Sequence, residues 1–253
     1  MLRTRVIPCL LLSNGGLVKT VKFQDPKYVG DPINAVRIFN DKEVDEMVFL
    51  DIGATAAGSG PNFDLLADIA SEAFMPFAYG GGVTTVEHIR RLFFLGVEKV
   101  VLNTAAVSNP TLIRDAVSLA GSSSVVVSMD VRRSFLGKYS VCTRSGRLDI
   151  KRDPIDYARE VEQLGAGEIF LTAIDRDGTQ SGYDLALIER VAGAVSIPVV
   201  ASGGAGILEH FKEAVTHGAS AVAAGSFFVF HGRHRAVLIT YPDYGALTDL
   251  FES

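Results

Sequence analysis

The chain has 253 residues, 48% hydrophobic and 21% charged, with 24 Lys+Arg against 29 Asp+Glu for a formal net charge of −5. A chain this apolar offsets its own ordering entropy, which excludes disorder, and its mild acidity argues against a sequence-independent nucleic-acid binder, which needs a basic face. No run approaches the ~20 apolar residues of a membrane span, so no membrane partner is expected.

Eight short aliphatic or β-branched runs are predicted strands: 5–12, 46–52, 75–79, 98–102, 123–130, 167–173, 197–201 and 220–224. Most are apolar throughout rather than alternating, as parallel strands covered on both faces are. Helical stretches follow at 31–44, 84–95, 109–120, 154–164 and 208–217. Asp31, Asn109 and Asp153 each precede a proline, an N-cap followed by Pro at the first helical position. Gly96, Gly121, Gly165 and Gly218 stand where helices stop. Eight βα units favour one closed (β/α)8 TIM barrel over 1–253 rather than a doubly wound sheet. The G-x-G-x-x-G turn of a doubly wound sheet is missing after the first strand.

The polar segment carrying Lys19, Lys22 and Lys27 between strand one and its helix reads as a mobile lid whose ammonium groups meet a phosphorylated ligand, or as a solvated loop. The piece 131–150, with Gly137, Gly146 and the alternating stretch from Tyr139 to Cys142, reads as a β-hairpin inserted after strand five. Cys9 lies in an apolar run and Cys142 in a polar one; two reduced thiols are expected, with neither a disulfide framework nor a metal site. No cofactor is implied. The basic start and following apolar run imitate a signal peptide only faintly, because no small-x-small cleavage site follows; a cytoplasmic location is expected.

Shifting the chain by 122 residues lays Pro76 to His88 on Pro198 to His210, and the match runs without a gap to Asn103-Thr104 and Gly225-Ser226. The shift is close to half the length, so the barrel reads as two fused half-barrels. Each half repeats one device: a glycine-rich turn ending a strand and leading to a helix, then a small polar pair ending the next strand. Gly80-Gly81-Gly82 with Asn103-Thr104 makes one; Ser202-Gly203-Gly204 with Gly225-Ser226 makes the other. Converging backbone N–H groups suit an anion, so two phosphate cups on one mouth imply an elongated ligand with well-separated anionic groups.

Asp130 ends strand five, Asp51 ends strand two and Asp177 follows strand six, all on the rim where barrel chemistry resides. A carboxyl group there either moves protons or anchors a loop. The run from Asp175 to Thr179 imitates a calcium loop, but Gln180 and Ala186 occupy positions that such a loop needs otherwise. His88 and His210 read as surface or packing residues, whereas His231 and His234 follow strand eight, within reach of ligand. At the opposite rim Arg5, Glu46, Lys99 and Glu168 are either solvated strand starts or a paired gate.

Arg5 to Cys9, Val48 to Ile52, Gly80 to Gly82, Asn103 to Ala106, Asp175 to Thr179 and Ala201 to Gly206 together resemble the cyclase subunit of imidazole glycerol phosphate synthase, over nearly the whole chain to about residue 228. The resemblance implies a substrate with a phosphate at each end and a glutaminase partner at the N-terminal face. Ammonia from that partner would pass a gate formed by Arg5, Glu46, Lys99 and Glu168. It also implies that Lys19, Asp51, Thr172 and Asp177 contact substrate and that Asp130 is one of two catalytic aspartates. The second of that pair is replaced by Leu11, and the stretch from Phe230 to Pro242 replaces the family's usual last helix pattern. Both departures resemble a branch tied to surface-polysaccharide synthesis, in which ammonia converts an acetamido to an acetamidino group on a nucleotide-activated sugar. An authentic histidine-pathway cyclase, a sister-family isomerase and a degenerate ligand-binding activator of a glutaminase are the competing readings.

Overall fold

The computed structural model describes residues 4–232 and 234–252. Eight parallel strands close a ring: β1 (Arg5–Ser13), β2 (Met47–Asp51), β3 (Phe77–Gly80), β4 (Lys99–Leu102), β5 (Val125–Arg133), β6 (Glu168–Ala173), β7 (Val199–Ser202) and β8 (Ala221–Ala224). Neighbours pair in chain order, β8 pairs back onto β1, and β5 onto β6 completes the circuit. The fold is therefore the expected (β/α)8 barrel.

Strand periodicity sorts the core into two layers. Ile7, Cys9, Val48, Val101, Phe170 and Val200 fill the lumen, while Val6, Leu10, Leu12, Phe49, Leu102 and Leu171 face the helices. The same parity runs along each strand from end to end. Lys99, Val101 and Asn103 share one pleat face, as do Glu168, Phe170 and Thr172, so the charges of one rim and the polar groups of the other point into a common axis. Outside the ring, Phe211, Phe227, Phe228 and Tyr241 pack in a chain of aromatic contacts with ring centroids 5.0–6.2 Å apart.

Helix starts follow local chemistry. Asp31 Oδ1 accepts from the Asn34 N–H at 2.9 Å, and Asp153 Oδ1 from that of Ile155 at 2.8 Å, each capping an orphan donor ahead of a Pro at the first turn. Asn109 differs: Pro110 itself takes the cap position of Thr111–Ala120, because a short helix, Thr104–Ser108, occupies the chain just before it. The glycine-rich turns likewise do not open directly into helices, which begin only at Val86 and Glu209.

The segment expected as a lid is instead an antiparallel hairpin of Gly16–Val21 and Gln24–Gly30 that extends the sheet from β1. The cause is local: Asn14 and Gly15 adopt φ of 50° and 78°, the two-residue loop that matches strand twist, and Leu17 and Val18 bury against the barrel. Lys19 is drawn in with them, whereas Lys22 and Lys27 stay exposed. The hairpin expected after strand five is present, with β5 pairing Tyr139–Thr143 and that strand pairing Leu148–Asp149. After β8, Phe230–His231 pairs with Ala236–Val237, and a closing helix spans Tyr244–Glu252; Arg233 of that stretch lies outside the described residues. Among the described residues no helix is long and apolar enough to cross a membrane.

Candidate active site

Two cavities share the mouth at the C-terminal ends of the strands. The larger, about 170 Å³, is bordered by Asp51, Gly81, Gly82, Asn103, Thr104 and Asp130. The smaller, about 30 Å³, is bordered by Lys19, Gly203, Gly204, Gly225 and Ser226. Cys9, Leu11, Asp177 and Ser202 border both. The paired glycine turns thus lie on one face and border adjacent cavities with shared walls.

Each turn is packed too tightly for a side chain. Gly81 has φ of 132° and a Cβ there would stand 2.6 Å from the carbonyl oxygen of Asp51; Gly204 has φ of 121° and its Cβ would stand 2.2 Å from that of Gly182. The two-fold repeat extends to their support. His88 Nδ1 accepts from the Thr84 N–H at 3.4 Å and His210 Nδ1 from the Gly206 N–H at 3.1 Å. Both rings therefore brace the glycine turns, and the signal for this in the sequence is that the two histidines hold matched positions of the 122-residue repeat.

Asp130 is 8% exposed. Asn103 Nδ2 donates to its Oδ2 at 3.1 Å and Ser128 Oγ to its Oδ1 at 3.5 Å. Burial, with the nearby charge of Asp177 adding to it, pushes the carboxyl up to about 7, against the opposing pull of those donors. Asn103 therefore bonds the Asp130 carboxyl directly, while its neighbour Thr104 Oγ1 accepts from the Arg144 N–H at 3.0 Å. Asp51 Oδ1 accepts from the Gly53 and Ala54 N–H groups at 2.9 and 3.0 Å; burial raises this carboxyl and those bonds oppose the rise. Asp177 Oδ2 accepts from Thr20 Oγ1 at 2.9 Å and from the Phe23 N–H at 3.4 Å. Burial raises Asp177, with Thr20, the Lys19 charge and Phe23 pulling the other way. Thr172 is buried on the lumen side of β6, beside Asp130 and Ser202 in the strand register.

Lys19 Nζ donates to the Cys9 carbonyl oxygen at 2.6 Å, and its burial lowers the ammonium below its ordinary range. Burial also pushes the Cys9 thiol up to about 11, so this cysteine is an inert wall rather than a nucleophile. His231 and His234 are exposed and border neither cavity; Arg235 instead reaches the Gly178 carbonyl oxygen at 3.3 Å. Asp175 Oδ2 accepts from the Arg133 N–H at 2.7 Å, fastening its loop to β5. Thr20, Phe23, Ser128 and Ser145 also border the large cavity. Ser128 was legible as the inward neighbour two residues before Asp130; the others arrive through turns whose approach only the fold sets.

At the far end of the lumen four charges alternate in a ring. Arg5 Nη1 meets Glu46 Oε2 at 2.5 Å and Arg5 Nη2 meets Glu168 Oε1; Lys99 Nζ meets Glu46 Oε1 at 2.9 Å and Glu168 Oε2 at 3.1 Å. Both glutamates are 6% exposed, and 168 minus 46 is 122, the shift of the internal repeat.

A (β/α)8 barrel with twin glycine turns around buried carboxylates places the candidate active site of an enzyme at the C-terminal mouth. The chain belongs to the histidine biosynthesis protein family, whose match spans residues 5–235. It is 55% identical over 251 residues, 98% of this chain and 99% of the relative, to a Pseudomonas aeruginosa protein provisionally named imidazole glycerol phosphate synthase subunit hisF2. A Leptospira borgpetersenii protein provisionally named subunit HisF of that synthase is 46% identical over 245 residues, 96% of each chain. The imidazole glycerol phosphate synthase subunit HisF of Alkaliphilus metalliredigens is 45% identical over 232 residues, 91% of this chain and 92% of that one. Within the family the chain is a cyclase-type barrel, a synthase (lyase) subunit of the glutamine-amidotransferase-dependent kind.

Proposed function

We propose that this barrel adds ammonia, delivered by a glutaminase docked at its N-terminal face, to a carbonyl carbon of an acceptor held by anionic groups in both cups. The observation that carries this reading is the ring of Arg5, Glu46, Lys99 and Glu168 across the lumen. Four largely desolvated charges are a weak source of stability, yet here they close the axis that leads to Asp130. Neutral ammonia crosses the apolar layer beyond them, whereas ammonium would incur a desolvation cost of several kcal/mol or more. Phe170 and its neighbours pack across that path, so passage requires these side chains to move aside.

Leu11 directs the choice of acceptor. Ring closure of a histidine-pathway ribonucleotide calls on the strand-one carboxyl that this chain lacks, so the preferred acceptor is the acetamido group of a nucleotide-activated sugar destined for surface polysaccharide. Its carbonyl carbon gains nitrogen and loses oxygen, which leaves on an activating phosphoryl or nucleotidyl group installed by a separate nucleotide-dependent enzyme. The second reading, an authentic cyclase, is supported by the 45% identity to the Alkaliphilus HisF subunit. Incubating the protein with ammonium chloride and either the ribonucleotide or the nucleotide sugar whose acetamido oxygen already carries the activating group separates them. Amidination of the activated sugar is the expected result; efficient imidazole formation from the ribonucleotide overturns this preference. Glutaminase capture by the barrel, lost on reversing charges around the lower rim, is the matching test of the partner's place.

A further inference from the structure

Leu11 leaves the mouth one carboxyl short for a reaction in which one proton leaves the incoming nitrogen and another reaches the acceptor. Among the described residues three carboxylates border the large cavity: Asp51, Asp130 and Asp177. Asp51 is committed to its own turn through two backbone N–H groups and borders that cavity alone. Asp177 stands where Leu11 stands, on the boundary of both cavities. The hairpin ties the two together: Leu11 pairs with Val18, and two residues on Thr20 Oγ1 holds Asp177 Oδ2 at 2.9 Å while the Lys22 N–H meets the Asp177 carbonyl oxygen at 2.9 Å. Among the described residues both bonds to the Asp177 side chain fall on Oδ2.

We infer that Asp177 occupies the proton-transfer place vacated at Leu11 and works with Asp130 as a pair. This rests on the ammonia-adding reading above. In the addition step ammonia forms a C–N bond at the O-activated amide carbon and the C=N π pair moves to the amide nitrogen. Asp130 delivers its proton to that nitrogen and Asp177 takes one from the new ammonium, so the pair ends with its single proton exchanged; the C–O bond then breaks and the oxygen leaves on its phosphoryl or nucleotidyl group. The division of labour follows the surroundings. Thr20, the Phe23 N–H and the Lys19 ammonium favour the anion at Asp177, whereas Asp130 faces Asn103, Ser128 and the Asp177 charge. Two electrostatically coupled carboxyls lining one cavity hold one proton between them.

The experiment has two arms. With ammonium chloride and whichever acceptor turns over, Asp177→Asn lowers kcat by about 100-fold with little change in KM, and its alkaline limb moves to lower pH because Asp130 loses a neighbouring negative charge. Leu11→Asp added to Asp177→Asn restores part of kcat. A normal kcat with only KM raised, or a double variant as slow as the single one, overturns the proposal. In the second arm, carboxyl carbon NMR of the unliganded protein follows Asp130: a midpoint lowered in Asp177→Asn supports the pairing, and an unmoved midpoint overturns it. If neither acceptor turns over, the ammonia-adding reading fails, and the second arm still decides whether the two carboxyls share a proton.

Discussion

A Cβ on Gly225 would stand 2.1 Å from Nζ of Lys19 and 2.9 Å from the Cys9 carbonyl oxygen to which that ammonium donates. The absence of a side chain at one residue therefore creates the berth of another's charge. Lys19 comes from the hairpin after β1 and Gly225 from the end of β8, so ring closure sets this fit. Gly225→Ala is expected to displace the ammonium and weaken inorganic phosphate binding by about tenfold, ~1.4 kcal/mol. Isothermal titration with phosphate checks this, and unchanged affinity would show that Lys19 does not serve the smaller cup.

The charge ring makes a second prediction. Lys99→Ala leaves Glu46 and Glu168, each with a side chain 8% exposed, to Arg5 alone. Loss of one partner from a desolvated network costs about 3 kcal/mol, readable in urea unfolding. Turnover driven by ammonium salt should survive, while turnover driven by glutamine through a partner glutaminase should fall. Equal loss of both would argue that the ring is structural only.

Asp130 predicts a pH dependence of stability. Its carboxyl is raised in the folded protein from an ordinary value of 3.8 to about 7, so the folded state prefers the protonated form. The contribution is fully present below the unfolded value and is lost as pH rises through the folded one, between about 4 and 7. Up to about 4 kcal/mol is at stake at 1.36 kcal/mol per pH unit. Asp130→Asn should unfold at higher urea than the parent at pH 8, with the difference vanishing near pH 4. An unchanged midpoint at pH 8 would refute the raised value.

Asn103→Ala removes a donor that favours the ionised form of Asp130. The Asp130 midpoint should move above about 7, and in a turnover assay the alkaline limb of kcat should follow it upward. A downward shift would mean that another group governs that limb.

Phe228 is fully buried, stacked on Tyr241 at 5.3 Å and on Phe211 at 6.2 Å. Phe228→Ala should destabilise the fold by about 3–5 kcal/mol, because the crowded aromatic chain cannot collapse into the space. Thermal unfolding measures this, and a loss below about 1 kcal/mol would show a loosely packed shell.

The sequence by itself determined the barrel, because eight apolar runs with helical stretches between them have few other ways to bury both strand faces. It also determined the doubled glycine device, since the 122-residue shift is visible without coordinates, and the inserted hairpin after β5. It missed the hairpin after β1 because lysines at 19, 22 and 27 mask the burial of Leu17 and Val18, although Asn14-Gly15 carried the turn signal. What only the tertiary structure decided is adjacency. Periodicity along a strand fixes which residues face inward, but the register of a closed ring fixes which inward residues meet. Asn103 reaches Asp130 across neighbouring strands, Asp177 comes to share a boundary with Leu11, and two glutamates from opposite halves take hold of the same Arg5 and Lys99.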